Sequence, residues 1–590
     1  MLLVLLAWLY ALSVSYVYGH ALISALSFVT RDKDRIHFSL YIIGGFAVLT
    51  ALTTCLAFYI KIAVLANIII LIPALLYALI KAKSIRKDFS HYKQALQNTS
   101  AISYIIFLVA VAMGLALSAS PQAKFDDGLY YQQTIKWIES YPAITGLGNL
   151  HLKLSFNSGW HVLSALFSFS FLGMPFNDLN GLLFIVVVVF ALEGLQHIIK
   201  GNYTFSDVFK VVTIAPLHLL FTYIVSPSPD LVIPYITWVV FILFLQKIEQ
   251  NSLQAFDVRS MLILIFSLFA VIIKLSAAPI ALLSFYLLYL QLKQQNYRSL
   301  VPVTAAVIML AAPWMARSAV LSGYLVYPFC ELDVLAVDWK IPEELVKVEL
   351  TETRSFAKIR RMLFTDVDRL SIAEWLPHWF WELNTSERLI VMLIIVLGAA
   401  LPVAAIIRLR KEKITLQTSG ILVLFLTVYA GIFFWFFTAP HFRYGMGFTV
   451  GLYLLCMSYF LYLLIKRFSA YTLPLMAVFL LVFFSKPIYN VLWWYKNTPE
   501  DYLVYPVKAV HEGFSQVKYQ GIDIWVPDST AQCWDAPLPC APFIVEGLEL
   551  RTGKLTGGFR ITRPNSEAYT RKRLKTMGES GLLHNILNNN

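Results

Sequence analysis

The chain has 590 residues, of which 58% are hydrophobic and only 14% are charged, and its formal net charge is +12. A soluble protein carries roughly a quarter charged residues, so the composition excludes an ordinary soluble enzyme. It also argues against a nucleic-acid partner, because that interpretation needs a basic face on a soluble domain, whereas here lysine and arginine stand between apolar runs. At about 20 residues per crossing, the apolar content suffices for a dozen or more membrane-spanning helices.

Apolar runs, taken in chain order, predict about 14 spanning helices. A further run at 160–172 is too short to cross about 30 Å of hydrocarbon and predicts a helix lying on the outer membrane surface. The first run has no basic start and no cleavage site, which predicts a retained helix and not a secretory signal. The predicted spans fall at about 1–28, 38–58, 62–80, 101–119, 179–199, 208–226, 231–246, 260–274, 277–292, 300–320, 388–407, 416–437, 445–465 and 470–486.

Basic loops set the predicted orientation. Lys81 to Lys87 form the strongest basic cluster among the short loops, and the positive-inside rule makes such a loop cytoplasmic. Alternation of the spans then places three larger polar regions outside the cytoplasm, at 120–178, 323–387 and from about 490 onwards. This pattern predicts a multi-pass membrane protein with its functional residues on the extracytoplasmic face.

The predicted fold class is an all-α polytopic membrane protein with a small extracytoplasmic α+β domain. Two cysteines, Cys533 and Cys540, lie in the proline-rich tail, and outside the cytoplasm a short disulfide is favoured over two free thiols. The predicted organisation is accessory spanning helices at 1–100, a transmembrane core at 101–320 with its first outer loop at 120–178, an outer loop at 321–387, further spans at 388–489 and the extracytoplasmic domain at 490–590.

Two adjacent carboxylates follow the fourth span. A charge at the edge of a membrane helix is costly, so each one is a candidate for function. Asp126 and Asp127 could supply a general base with a supporting acidic partner, and the pair could hold a divalent cation. The alternative is a simple Asp-Asp-Gly turn.

Three cations from distant segments form the second half of the predicted site. Lys274 interrupts a long apolar stretch, Arg317 lies near the outer end of its span, and Arg443 follows the turn at Pro440. Each could be an interfacial anchor whose charge reaches the membrane surface. Together they predict a phosphate-binding group, because ammonium and guanidinium groups form strong charge-assisted hydrogen bonds with phosphate.

Further polar and aromatic residues near these segments are predicted to bind substrate, although a lone histidine is more often structural. Asp230, in a tight outer turn, has helix capping as its alternative role. The predicted substrate-binding residues are Tyr130, Tyr131, His151, Asn157, His161, Asp230 and His441.

These residue types suit glycosyl transfer from a polyprenyl-phosphate-linked sugar. The phosphate leaving group already carries negative charge, so it needs cations more than a proton, and an Asp at 126 or 127 would deprotonate the acceptor in a single-displacement, inverting reaction. The expected partners are the lipid-linked donor, a cell-envelope glycan, lipid or protein acceptor, and membrane lipid. The chain lacks the glycine motifs that bind nucleotide phosphates.

At 101–320 the layout resembles the GT-C class of polytopic glycosyltransferases, which includes protein O-mannosyltransferases and lipid A aminoarabinose transferases. An outward helix is followed by a first outer loop opening with carboxylates, and the stretch from Val271 to Pro279 is similar to a Thr-Lys-Gly-Pro pattern of that class, with Ser276 replacing the glycine. The resemblance implies a GT-C-like catalytic core.

Other segments resemble an uncharacterised bacterial membrane-protein family called LIC_10190-like. The resemblance brings no established substrate, and it implies that the chain lies in the bacterial cytoplasmic (inner) membrane. The segments are Asp127-Gly-Leu-Tyr130, Lys136-Trp137, Tyr141-Pro142, Gly146 to His151, Phe156-Asn157-Ser158 and Cys533 to Cys540.

Two other functions remain open at the level of sequence. One is a flippase or transporter of lipid-linked glycans, although such proteins often show internal repeats and a site at the membrane midplane. The other is a polysaccharide polymerase or ligase, which uses the same donor chemistry on a different fold.

Overall fold

A computed structural model describes most of the chain and shows a mostly helical protein. The residues described are 1–32, 34–122, 124–173, 179–360, 362–411, 415–468, 485–493, 495–496, 503–507 and 513–579.

The helices of the first half include a π-helical turn at Asp127–Tyr131 and a 3-10 turn at Leu275–Ile280. In chain order they are α1 (Leu2–Thr30), α2 (Phe38–Leu56), α3 (Val64–Ile80), α4 (Ala82–Gln97), α5 (Ala101–Ser118), α6 (Gln132–Ser140), α7 (Gly159–Phe167), α8 (Leu179–Ile199), α9 (Phe205–Val212), α10 (Leu217–Leu220), α11 (Pro229–Glu249), α12 (Val258–Ile273), α13 (Ala281–Lys293) and α14 (Leu300–Ser322).

The second half begins with three helices of the loop after α14 and ends with a small region that contains strands. These elements are α15 (Glu343–Lys358), α16 (Phe364–Val367), α17 (Ile372–Glu382), α18 (Thr385–Lys411), α19 (Leu416–Thr438), α20 (Phe442–Arg467), β1 (Phe514–Tyr519), β2 (Ile522–Pro527), β3 (Leu548–Leu550), β4 (Phe559–Ile561) and α21 (Ser566–Glu579).

Within the described residues, ten helical segments are long and apolar enough to cross a membrane, or eleven if the bent pair α3 and α4 counts as one. This number of long apolar helices identifies a multi-pass membrane protein. The predicted span at 208–226 is broken into α9, α10 and a 3-10 turn, and the run at 260–274 forms the 16-residue α12. The predicted span at 470–486 lies almost wholly outside the described residues, and the total of 14 stays a prediction.

The short helix predicted at 160–172 is present as α7, which is too short to span, as expected. However, every residue of α7 is buried, and the helix packs against α2, α6 and α12. The expectation that this helix lies on the outer surface is therefore wrong: neighbouring helices bury all of its residues, so it has no exposed apolar face that could lie in the membrane interface.

Helix α11 lies at the centre of the apolar core and positions the site at its N-terminus. Almost all of its residues are buried, and it packs against α9, α12, α19 and α20. The Ser228 side chain accepts a hydrogen bond from the backbone N–H of Asp230, and Pro229 occupies the first helical position. A serine at the N-cap and a proline at the first helical position both favour a helix start. The capping role considered for Asp230 therefore belongs to Ser228, and the Asp230 carboxylate can make other contacts.

The region after residue 513 contains two antiparallel two-stranded sheets, β1–β2 and β3–β4. The Cys533–Cys540 disulfide is present, so this prediction is confirmed. The disulfide loop packs on the π-helical turn: the backbone N–H of Trp534 donates to the carbonyl of Gly128 at 2.9 Å. The tail therefore contacts the segment that carries the two adjacent carboxylates.

Candidate functional site

Two carboxylates and two cations form a charge cluster at the ends of four helical segments. Asp230 lies in the first turn of α11, and Lys274 lies where α12 ends and the 3-10 turn begins. Arg443 lies in the first turn of α20, and Asp126 directly precedes the π-helical turn. We call Asp126, Asp230, Lys274 and Arg443 the charge cluster.

The contacts within the charge cluster are direct. Lys274 donates to one carboxylate oxygen of Asp230, and Arg443 Nε lies 3.6 Å from the other. Arg443 Nη2 lies 2.8 Å from Asp126 Oδ2. The ring of Tyr444 lies 4.2 Å from Lys274 Nζ. Burial of Asp230 is compensated by this arrangement, because a buried charge needs paired partners.

Asp127 is separated from the charge cluster although it adjoins Asp126 in the chain. Its side chain is fully buried and accepts hydrogen bonds from the Ser226 hydroxyl and from the backbone N–H of Lys124 at 3.1 Å. These bonds tie the π-helical turn to the chain just before α11. Asp127 therefore holds the position of Asp126 and does not face open space.

Burial controls the ionisation of this segment. It raises the pKa of the Asp127 carboxyl to about 7, against the two hydrogen bonds, which favour the charged form. Burial also lowers the pKa of Lys124, and the nearby Arg443 guanidinium acts in the same direction. The Lys124 ammonium lies 4.5 Å from the ring of Tyr223.

A cavity of about 280 Å³, which we call the Asp126 cavity, lies on one side of the charge cluster. Asp126, Lys274 and Tyr444 line one part of it. Its wall includes four residues predicted to bind substrate: Tyr130, Tyr131, Asn157 and His161.

A larger cavity of about 1270 Å³, which we call the Arg360 cavity, is also lined by Arg443. The charge cluster therefore separates two cavities. Four cations line the Arg360 cavity against two carboxylates, so its balance is positive. The charged residues are Lys124, Arg360, Arg443, Lys486, Glu382 and Glu387.

Three predicted site residues have other surroundings. Arg317 is buried and donates to the side-chain carbonyl of Asn157, and it lines neither cavity. His151 is also buried and lines neither cavity, and its pKa is held well below its usual value by burial and by Arg573. His441 lines the Arg360 cavity and stacks on Phe356.

The residues present do not fit the divalent cation considered for Asp126 and Asp127. Each carboxylate has a different partner, Arg443 for one and Ser226 for the other. Among the described residues, no group of three or more His, Cys, Asp or Glu side chains is arranged to hold a metal ion.

Several residues of the site escaped sequence reasoning. Lys124 stands two positions before Asp126, and this proximity alone could have indicated that it belongs to the site. Ser226 lies in the same turn as Asp230 and could have been identified in the same way. Arg360 and Tyr327 come from the loop after α14, and nothing in their local sequence indicates that they reach the cavities.

Comparison with known proteins gives a family but no activity. No curated protein matches the chain, and no solved structure does. A family model described as "Domain of unknown function (DUF8201)" matches residues 1–450. The chain therefore belongs to the DUF8201 family.

Proposed function

We propose that this protein is an integral-membrane glycosyltransferase that moves a sugar from a polyprenyl-phosphate-linked donor to a cell-envelope acceptor on the extracytoplasmic face. The observation that carries the proposal is the ion pair of Asp126 and Arg443 between two cavities. This arrangement suits a transfer between two substrates. The Asp126 carboxylate would act as the base towards the acceptor, and the Arg443 guanidinium would stabilise the anionic leaving group of the donor.

In the proposed reaction, the acceptor hydroxyl enters the Asp126 cavity and attacks the anomeric carbon of the donor sugar. The new C–O bond forms as the bond between the anomeric carbon and the phosphate oxygen breaks. The hydroxyl proton passes to the Asp126 carboxylate, and polyprenyl phosphate leaves. A positioned general base contributes about 10²- to 10⁴-fold to such a step.

The Arg360 cavity suits the donor phosphate because its balance of charge is positive. Arg443 would contact the phosphate at the boundary with Asp126, and Lys124, Arg360 and Lys486 would extend the cationic surface. Lys274, held by Asp230, would act from the other side of the charge cluster. Fixed cations stabilise the negative charge that grows on the leaving oxygen without having to reorganise.

The test is a transfer assay on the purified full chain in proteoliposomes. Donors are polyprenyl phosphates carrying labelled sugars, and the acceptor is an envelope extract from a strain that lacks the protein. We expect Asp126→Asn to lower the rate of glycosidic-bond formation at least 100-fold. Asp523→Asn is the matched control, because Asp523 is exposed on β2, away from both cavities.

Full transfer by Asp126→Asn would show that this carboxylate is not the base. Movement of labelled lipid across the sealed membrane without a new glycosidic bond would instead identify a flippase. Mass spectrometry of the envelope glycans of the same strain, complemented with each variant, would show which glycan loses a sugar.

A further inference from the structure

Helix α4 leaves the end of α3 at a sharp angle. The two helices meet at Lys81 and are bent by 83° relative to each other. A spanning helix tilts by about 20° from the membrane normal on average, so α4 lies within roughly 30° of the membrane plane when α3 crosses the bilayer. Leu79 and Ile80, the last residues of α3, are 74% and 78% exposed, which suits contact with hydrocarbon. Helix α4 therefore begins at the level of the lipid headgroups.

Four cations share one side of α4, which we call the α4 basic face. Their positions fall within about 120° of the helix circumference, at 3.6 residues per turn. All four side chains are exposed, and within the described part of the chain no carboxylate forms an ion pair with any of them. Two of them are four residues apart, a spacing at which like charges on a helix repel each other. The four residues are Lys83, Arg86, Lys87 and Lys93.

The one carboxylate of α4 does not neutralise this face. Asp88 accepts a hydrogen bond from the Tyr16 hydroxyl at 3.2 Å, and the same carboxylate oxygen lies 3.6 Å from Nε2 of His20. Both partners belong to α1. Asp88 is therefore turned towards the helix bundle, and the α4 basic face keeps its full positive charge.

The apolar side of α4 is only partly covered by protein. The rings of Phe89 and Tyr92 lie 5.3 and 6.5 Å from the ring of Tyr16. However, Phe89 and Leu96 are 51% and 56% exposed, and no residue of α4 is buried. An amphipathic helix with lysine and arginine on its polar side is typical of the membrane interface. A soluble polyanion would pair with the cations and leave the apolar groups in water, whereas a lipid covers both.

We infer that the α4 basic face binds the anionic headgroups of phospholipids in the leaflet where α3 ends. Lysine and arginine form charge-assisted hydrogen bonds with phosphate oxygens, and the acyl chains of the same lipids would cover Phe89 and Leu96. Each cation near an anionic membrane surface contributes about fivefold to the affinity. The inference goes beyond the proposed function and does not depend on it, because lipid binding at α4 and glycosyl transfer are measured separately.

The test is lipid retention by the purified full chain. The protein is reconstituted in liposomes of equimolar phosphatidylcholine and phosphatidylglycerol, extracted in detergent and purified, and the lipids that co-purify are quantified by mass spectrometry. We expect the wild type to enrich phosphatidylglycerol over phosphatidylcholine at least fivefold. The enrichment should fall as the salt concentration is raised from about 0.05 M to about 0.5 M, because salt screens exposed charges.

Three variants test the α4 basic face. The first removes its charge and is expected to retain the two lipids in nearly equal amounts: Lys83→Gln, Arg86→Gln, Lys87→Gln and Lys93→Gln. The second keeps the charge and is expected to behave as the wild type does: Lys83→Arg, Lys87→Arg and Lys93→Arg. The matched control removes four exposed cations from the region after residue 513 and should keep the enrichment: Lys518→Gln, Lys554→Gln, Arg563→Gln and Arg571→Gln.

The melting temperature in detergent shows whether each variant folds. If the fourfold variant of α4 does not fold, the salt series on the wild type and the single variant Lys87→Gln decide, and the single variant is expected to lose at least half of the enrichment. Equal retention of both lipids by the wild type, an enrichment that salt does not change, or the same loss in the matched control would overturn the inference. The four cations would then only fix the orientation of α3 or bind a soluble partner.

Discussion

The buried Asp127 carboxyl makes a sharp prediction about stability and pH. Its pKa is raised by burial from an ordinary value of 3.8 to about 7. The unfolded chain therefore releases this proton near pH 4, whereas the folded chain holds it until about pH 7. The protonated group's contribution to stability is fully present below pH 3.8 and declines as the pH rises from there. It is lost once the pH has passed about 7.

The magnitude follows from the shift. One pKa unit corresponds to 1.36 kcal/mol, so the loss between pH 4 and pH 7 is about 4 kcal/mol. Asp127→Asn removes the ionisation, and its side-chain carbonyl can still accept from the backbone N–H of Lys124. Compared with the wild type, the variant is expected to gain stability steadily across this range, and the difference is expected to level off above pH 7.

The assay is unfolding of the purified chain in detergent at half-unit steps from pH 4 to pH 9, followed by intrinsic tryptophan fluorescence. Asp523→Asn is again the control, since it makes the same Asp-to-Asn change at an exposed position on β2. A constant difference between Asp127→Asn and the wild type, or one that shrinks as the pH rises, would refute the reasoning.

Two further predictions concern the packing at Gly128 and the buried ion pair of Glu352 and Arg573. A Cβ at Gly128 would lie too close to the indole of Trp534 in the disulfide loop, so Gly128→Ala should lower stability by about 1–3 kcal/mol. At Gly398 a Cβ meets no atom within 4 Å in the described part of the chain, so Gly398→Ala should be tolerated. Equal melting temperatures of the two variants would contradict this. Glu352 accepts two hydrogen bonds from Arg573, at 2.6 and 2.7 Å, and both are buried. Glu352→Gln should cost about 3–5 kcal/mol, and Glu352→Leu combined with Arg573→Met should restore most of it; a cost below about 1 kcal/mol in denaturant unfolding would contradict the assignment.

The sequence by itself determined where most helices begin and end. The predicted spans 179–199 and 416–437 correspond to α8 (Leu179–Ile199) and α19 (Leu416–Thr438). Such bounds are local properties, because the length of an apolar run and the polar residues that flank it decide how much chain can enter a bilayer. The disulfide was predictable for the same reason, since both cysteines lie within one short segment.

Only the tertiary structure decided which polar residues meet. It divided two adjacent carboxylates, directing Asp126 to Arg443 and Asp127 to Ser226, and it kept Arg317 out of the charge cluster. It enclosed α7, which the sequence had placed on the surface, and it brought Tyr327 to the cavity wall. The physical reason is that whole helices must pack before a side chain has a direction or before segments more than a hundred residues apart can meet. A local pattern of residues contains no information about that packing.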